Sequence, residues 1–138
     1  MDADARDDGL RADQLERLHE VAQVGDGVLV LPLIGSLDTK RTARATHAAL
    51  TEVTRQGARV CIIDITGARI VDSAAVANLT NLVQALKLVG AEACVTGVGA
   101  RVAQTLVKLG LDMRGLRTYR TLAQALAALL DAKGRRRN

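Results

Sequence analysis

Aliphatic runs alternate along this chain with stretches of helical periodicity, and that alternation constrains the fold more than any other feature. Val28–Ile34, Val60–Ile65 and Ala93–Thr96 are runs of the kind that forms buried strands, and Arg117–Tyr119 reads as a brief fourth. Ahead of the first, Val21–Val24 and Gly25-Asp26-Gly27 give a hairpin signature. Pro32 cannot donate to a ladder, so it belongs at a bulge or on an unpaired side of its strand. Between the strands, Asp38 to Gln56 is helical in pattern. Ala43, Thr46, His47, Leu50 and Val53 share one face, with Lys40, Arg41, Arg44 and Arg55 pointing away. Gly57 ends that helix. A second is expected from Ser73 to Val89, stopped by Gly90, and a third from Ala100 to Leu109, stopped by Gly110. Thr121 opens the last, with Gln124 completing a capping box and Leu122, Ala125, Leu126, Leu129 and Leu130 as its inner stripe. The expected fold is therefore α/β: one domain with a mixed, mostly parallel sheet, about four helices and an N-terminal β-hairpin. Its expected bounds are 21–132, after a polar lead-in over 1–20 that is partly helical or disordered and before a basic tail over 133–138.

A length of 138 residues suits a single domain. Tyr119 is the only aromatic residue, so the core must be aliphatic. The same scarcity argues against base-stacking single-strand nucleic-acid readers and aromatic cages. The net charge of +4 comes from the tail, since Lys133, Arg135, Arg136 and Arg137 carry four positive charges and the rest of the chain balances. That is no nucleic-acid footprint, and the tail reads as a solvated end. Cys61 and Cys94 fall inside strand-like runs and are expected to be free, buried thiols in a reducing compartment. The N-terminal residues have no signal-peptide pattern, and no apolar stretch approaches the ~20 residues needed to span a bilayer. The expectation is a soluble, cytoplasmic protein without membrane contact.

Residues that could carry catalysis are scarce. His19 and His47 have no ligand partners at metal spacing, and the cysteines form no CxxC pair. No catalytic, metal or cofactor site is expected, and His47 is read as a boundary residue of the core face. Gly97-Val98-Gly99 follows a strand and precedes a helix, as in a dinucleotide-binding loop, but Val102 occupies the third glycine position. A tight strand-to-helix turn is the simpler reading. Asp38-Thr39 and Asp72-Ser73 carry more information. In each, an aspartate suited to N-capping precedes a hydroxyl at the first helical position, beside backbone N–H groups without intrahelical partners. A phosphate is tolerated there, and it adds roughly −1.5 to −2 charges. Its repulsion from the adjacent aspartate is on the order of a few kcal/mol at an effective dielectric near 20, enough to switch an interface. Two ordinary capped helices would leave the same pattern.

The run Val28-Leu-Val-Leu-Pro-Leu-Ile-Gly-Ser-Leu-Asp-Thr39, followed by Ile62-Ile-Asp-Ile-Thr-Gly67 and Val71-Asp-Ser73, closely resembles the STAS domain of sulfate transporters and anti-sigma factor antagonists. With Ala103-Gln-Thr-Leu-Val-Lys-Leu-Gly110 it looks like the RsbR type of the bacterial stressosome, over about residues 21 to 131. The resemblance implies a non-enzymatic signalling scaffold. Such domains assemble with an RsbS-type STAS partner, capture an RsbT-type serine/threonine kinase, and are phosphorylated at two positions that fall on Thr39 and Ser73. Asp38 and Asp72 would support those sites. The chain departs from the pattern in three ways. Ser73 stands where the RsbR type usually has threonine. The loop after Gly97 lacks the family's Arg-Pro pair. Met1–Glu20 is too short for the usual N-terminal sensor, which implies either a free-standing component or a chain shortened at that end.

Three functions are compatible with these residues. The first is a stressosome-type scaffold, oligomeric and switched at Thr39 and/or Ser73. The second is a free-standing anti-sigma factor antagonist that binds an anti-sigma kinase and is inactivated by phosphate at Ser73. The third is a ligand or nucleotide sensor built on the Gly97–Ala100 turn.

Overall fold

The computed structural model describes residues 21–70 and 72–137. The lead-in and Val71 lie outside the described residues. Strand β1 (Ala22–Gly25) turns at Asp26-Gly27 into β2 (Val28–Pro32), as the glycine spacing implies. Two-residue β3 (Gly35–Ser36) leads into α1 (Thr39–Gln56), and β4 (Val60–Asp64) and two-residue β5 (Ala68–Arg69) lead into α2 (Ser73–Leu88). β6 (Glu92–Thr96), α3 (Ala100–Lys108), β7 (Arg117–Tyr119) and α4 (Leu122–Arg137) complete the chain. The backbone of α4 is helical to Arg137, past the expected boundary at 132. Gly57, Gly90 and Gly110 follow α1, α2 and α3 with φ of 64°, 90° and 91°, the left-handed region that side chains with a Cβ disfavour.

The main sheet runs β1-β2-β4-β6-β7, with β1 antiparallel and the other neighbours parallel. Pro32 ends β2 on its unpaired side. Leu33 N–H donates to the Asp64 carbonyl at 2.9 Å, so the Pro32 nitrogen faces β1, whose pairing stops at Ala22 opposite Val30. The strand order advances in one direction, and right-handed crossovers therefore stack α1, α2 and α3 on the same face. That face holds the larger core, where Leu31, Ile63 and Val95 meet Ala49, Leu79, Leu82 and Leu86. The opposite face is covered by α4, with Ala125 and Leu129 on Val28, Val30, Val60, Ile62 and Cys94.

Two details differ from the sequence reading. The buried face of α1 is Thr42, Ala45, Ala49 and Val53, rotated by about one residue from the expected set. Small residues let α1 lie close to the sheet, while Ala43 and His47 are exposed and Thr46 and Leu50 only half-buried. His47 is thus not at the edge of the core, and Arg41, expected to point away, is half-buried. On α4, Leu130 is 39% exposed and lies over Gly25, where an added Cβ would come within 2.8 Å of its Cδ2 atom.

Candidate functional site

Both aspartate–hydroxyl pairs form helix starts of the expected kind. Asp38 is extended and accepts the Arg41 N–H at 2.8 Å, which makes Thr39 the first residue of α1. Asp72 accepts the Ala75 N–H at 2.9 Å, which makes Ser73 the first residue of α2. In each case a short polar side chain satisfies one of the N–H groups that the first helical turn leaves unpaired. Thr39 and Ser73 are both exposed.

The two starts lie at the same end of the sheet, because α1 and α2 each follow a parallel strand. The two-residue strands bring them together. β3 pairs with β5 in parallel register, Gly35 opposite Ala68 and Ser36 opposite Arg69, and the Arg69 guanidinium donates to Ser36 Oγ at 3.0 Å. From α2, the Asn78 amide donates to the Leu37 carbonyl at 2.9 Å and reaches Thr39 Oγ1 at 3.4 Å. The Arg41 guanidinium donates to the Ile34 carbonyl at 2.7 Å. The sequence reading does not single out Ser36, Arg41, Arg69 or Asn78 as site residues. Asn78 leaves a faint signal, an amide on a helix whose neighbours Ala75, Val76, Leu79 and Leu82 are buried.

Beside Thr39, an open groove of about 340 Å³ runs between α1 and α2, bordered by Thr42, Thr46, His47, Leu50, Asn78 and Asn81. The apolar face expected of α1 from its sequence is largely the wall of this groove. Thr42 Oγ1 is buried there without a hydrogen-bond partner.

The glycine turn after β6 is built for close packing. Gly97 has φ +90°, and an added Cβ would lie 2.5 Å from the backbone nitrogen of Thr66. Asp64 Oδ1 accepts from Thr66 N, Thr66 Oγ1 and Thr96 Oγ1 at 3.2, 2.6 and 3.1 Å, which ties the ends of β4 and β6 together. Thr66 fills the space over Gly97, and Gly99 starts α3 without a side-chain cap. Cys61 and Cys94 are buried free thiols. Burial pushes their pKa values up to about 12 and about 11, which removes the thiolate on which reactivity depends. Among the described residues no group of three or more His, Cys, Asp or Glu side chains could hold a metal ion, and no helix is long and apolar enough to cross a membrane.

Comparison with known proteins agrees with this architecture. The STAS domain model matches residues 20–125. RsbT co-antagonist protein RsbRA of Bacillus subtilis is 33% identical over 113 residues, covering 82% of this chain and 41% of the relative. The chain therefore spans about two fifths of the length of that relative. Among solved structures, a single-residue variant of Moorella thermoacetica RsbS superposes with a TM-score of 0.68 at 25% identity, covering 82% of this chain and 97% of that one. A chain from the molecular architecture of the stressosome, a signal integration and transduction hub, gives 0.68 at 26% identity with the same coverage. With a one-directional parallel sheet, two aspartate-capped helix starts side by side and a family match over most of its length, this chain belongs to the STAS domain family and is similar to its RsbR-type members.

Proposed function

We propose that this chain is a non-enzymatic scaffold component of a stressosome-type signalling complex in the cytoplasm. In this reading it assembles with an RsbS-type STAS partner, captures an RsbT-type serine/threonine kinase, and is switched by phosphorylation on Thr39 and/or Ser73. One observation carries the reading: two exposed hydroxyls, each at the first residue of an aspartate-capped helix, share one end of the domain and are linked through β3 and β5. The likeness to an RsbT co-antagonist supports the choice of kinase, and the likeness to stressosome chains supports assembly. A phosphate at either position would meet the positive end of a helix dipole and leave the aspartate cap in place. The domain would stay folded while its surface gained roughly −1.5 to −2 charges per phosphate.

The test incubates the full chain with an RsbS-type protein, an RsbT-type kinase and ATP, and tracks kinase capture by co-sedimentation and phosphate by peptide mapping. Phosphate on Thr39 or Ser73, with release of captured kinase that Thr39→Ala or Ser73→Ala abolishes, is the expected result. Full peptide coverage with neither residue modified, or kinase that never co-sediments, overturns it. The serine at position 73 favours a second reading, an anti-sigma factor antagonist inactivated there. That reading expects Thr39→Ala to behave as wild type, with all control passing through Ser73.

A further inference from the structure

Of the three helices stacked on the larger core, α2 is the middle one, because it connects β4 to β6 between the crossovers of α1 and α3. After Ser73, its exposed residues are Ala74, Ala77, Asn81, Gln84 and Leu88. Their spacing of 3, 4, 3 and 4 keeps them on one line along the helix, as in the seam of a two-stranded coiled coil. None of the five is charged. From Ser73 to Leu86 there is no charged residue at all, although at 25% of the chain a stretch of fourteen should hold three or four. The neighbouring helices differ: α1 carries Lys40, Arg41, Arg44, Glu52 and Arg55, and α3 carries Arg101 and Lys108. A helix face turned to water normally carries charge, and depletion of charge marks the centre of a protein interface. The first charge of α2, Lys87, reaches away to the Arg114 carbonyl at 3.2 Å. Leu88 is 87% exposed, the most of any large apolar side chain among the described residues.

The order of residues along this ridge selects its occupant. Two alanines, two amides and a leucine, met by the same series running backwards, set leucine against alanine and amide against amide. In an antiparallel pair with Asn81 against the partner's Gln84, Leu88 falls on the partner's Ala77. Each of these contacts then occurs twice, as a two-fold axis requires. The alanines leave room for the leucines at the 8–10 Å spacing of packed helices, and each amide offers the other a donor and an acceptor. Asn81 and Gln84 are free for this, forming no hydrogen bond among the described residues, whereas Asn78 beside them is used within the fold. No charge has to leave water when two such ridges meet. With 16 residues the strip is about 24 Å long and about 10 Å wide, well short of the ~800 Å² that each partner gives to a standard interface. The contact is therefore of modest affinity.

We propose that the α2 ridge is a self-association surface, which pairs antiparallel with α2 of a second copy of this chain about a two-fold axis. The pairing needs no kinase and depends on neither hydroxyl being phosphorylated.

Disulfide trapping of the full chain tests this, because it catches weak contacts and works in any state of assembly. The native thiols Cys61 and Cys94 are buried and stay out of the reaction. Chains carrying Ala77→Cys and Leu88→Cys are oxidised with copper phenanthroline, each alone and as a 1:1 mixture. In the proposed register position 77 faces the partner's Leu88. Each position lies eleven residues from its own counterpart, about 16 Å, beyond the ~7 Å that a disulfide spans between Cα atoms. The mixture is expected to give several-fold more cross-linked dimer than either chain alone, and several-fold more than Leu88→Cys mixed with Thr51→Cys on the exposed side of α1. Adding Asn81→Asp and Gln84→Glu to both chains keeps their shapes, gathers four carboxylates at the centre and should cut the yield several-fold. Equal yields from Ala77→Cys alone, equal yields with Thr51→Cys, or a yield indifferent to the four carboxylates each overturn the proposal. A mixture that gives no link overturns it as well and leaves the ridge to a partner of another kind.

Discussion

Replacing Asp64 with alanine tests how the carboxyl end of the sheet is held. One carboxylate oxygen accepts from Thr66 N, Thr66 Oγ1 and Thr96 Oγ1, and the three donors respond differently to its loss. Thr66 is exposed, so its two donors turn to water at a cost of about 0.5 kcal/mol each. Thr96 is fully buried, and leaving its hydroxyl without an acceptor costs about 1–3 kcal/mol. The sum is about 2–4 kcal/mol, a drop of roughly 10 °C in melting temperature for a chain of this size. Far-UV circular dichroism in urea is the suitable assay, because the chain has no tryptophan. Thr96→Val completes the cycle, since with the hydroxyl gone Asp64→Ala no longer strands a buried donor. The double variant should recover about 1–2 kcal/mol relative to the sum of the single changes. Additivity within about 0.3 kcal/mol, or a cost below about 1 kcal/mol for Asp64→Ala alone, would refute the assignment of this oxygen as the tie between β4 and β6.

The same structure sets three other outcomes. Cys61 and Cys94 should resist thiol reagents in the folded protein and both react in urea. Their folded pKa values lie above the unfolded ones, so the stabilisation is complete below about pH 9 and is lost as pH rises toward 11 and 12. Stability should fall by up to about 1.4 kcal/mol per pH unit per thiol over that window relative to a Cys61→Ala/Cys94→Ala chain, and parallel curves would contradict it. Gly97→Ala combines a positive φ with a Cβ 2.5 Å from backbone and should cost on the order of 3 kcal/mol, measured by urea titration; a loss under about 1 kcal/mol would mean the turn shifts freely. Thr42→Val replaces a buried, unpartnered hydroxyl with a methyl group and should raise stability by about 1 kcal/mol in the same assay, so a lower urea midpoint would show that the hydroxyl has a partner in solution.

The strands and helix ends are legible in the sequence because their signals are local. β-branched runs mark β2 and β4, Gly57, Gly90 and Gly110 mark helix ends, and Asp38 and Asp72 mark helix starts, each through the geometry of one or two residues. The order of these elements is enough to give the parallel sheet. The features that stay hidden depend on partners distant in sequence. β3 and β5 have two residues each, Gly35-Ser36 and Ala68-Arg69, with no periodicity to read, and they exist because each pairs with the other. The inner face of α1 escapes sequence reasoning for a related reason. Leu50 outweighs Ala45 and Ala49 in hydrophobicity, yet the close approach of helix to sheet selects the small side chains. Thr39 and Ser73 are therefore identifiable singly, while their juxtaposition, and the parts played by Asn78 and Arg69, emerge only once the chain is folded.

Among the described residues α4 alone covers the second sheet face, and this has a consequence for how the chain is made. Val28, Val30, Val60, Ile62 and Cys94 are shielded by Ala125 and Leu129 of α4, which follows every strand of this sheet in the chain. Until those residues leave the ribosome, the sheet presents a row of apolar side chains to water, a surface of the kind on which nascent chains associate. A chain stopped ahead of Leu122 should accordingly aggregate, with Cys94 newly open to thiol reagents. The helix that follows the strands thus acts as a checkpoint on completion of this domain.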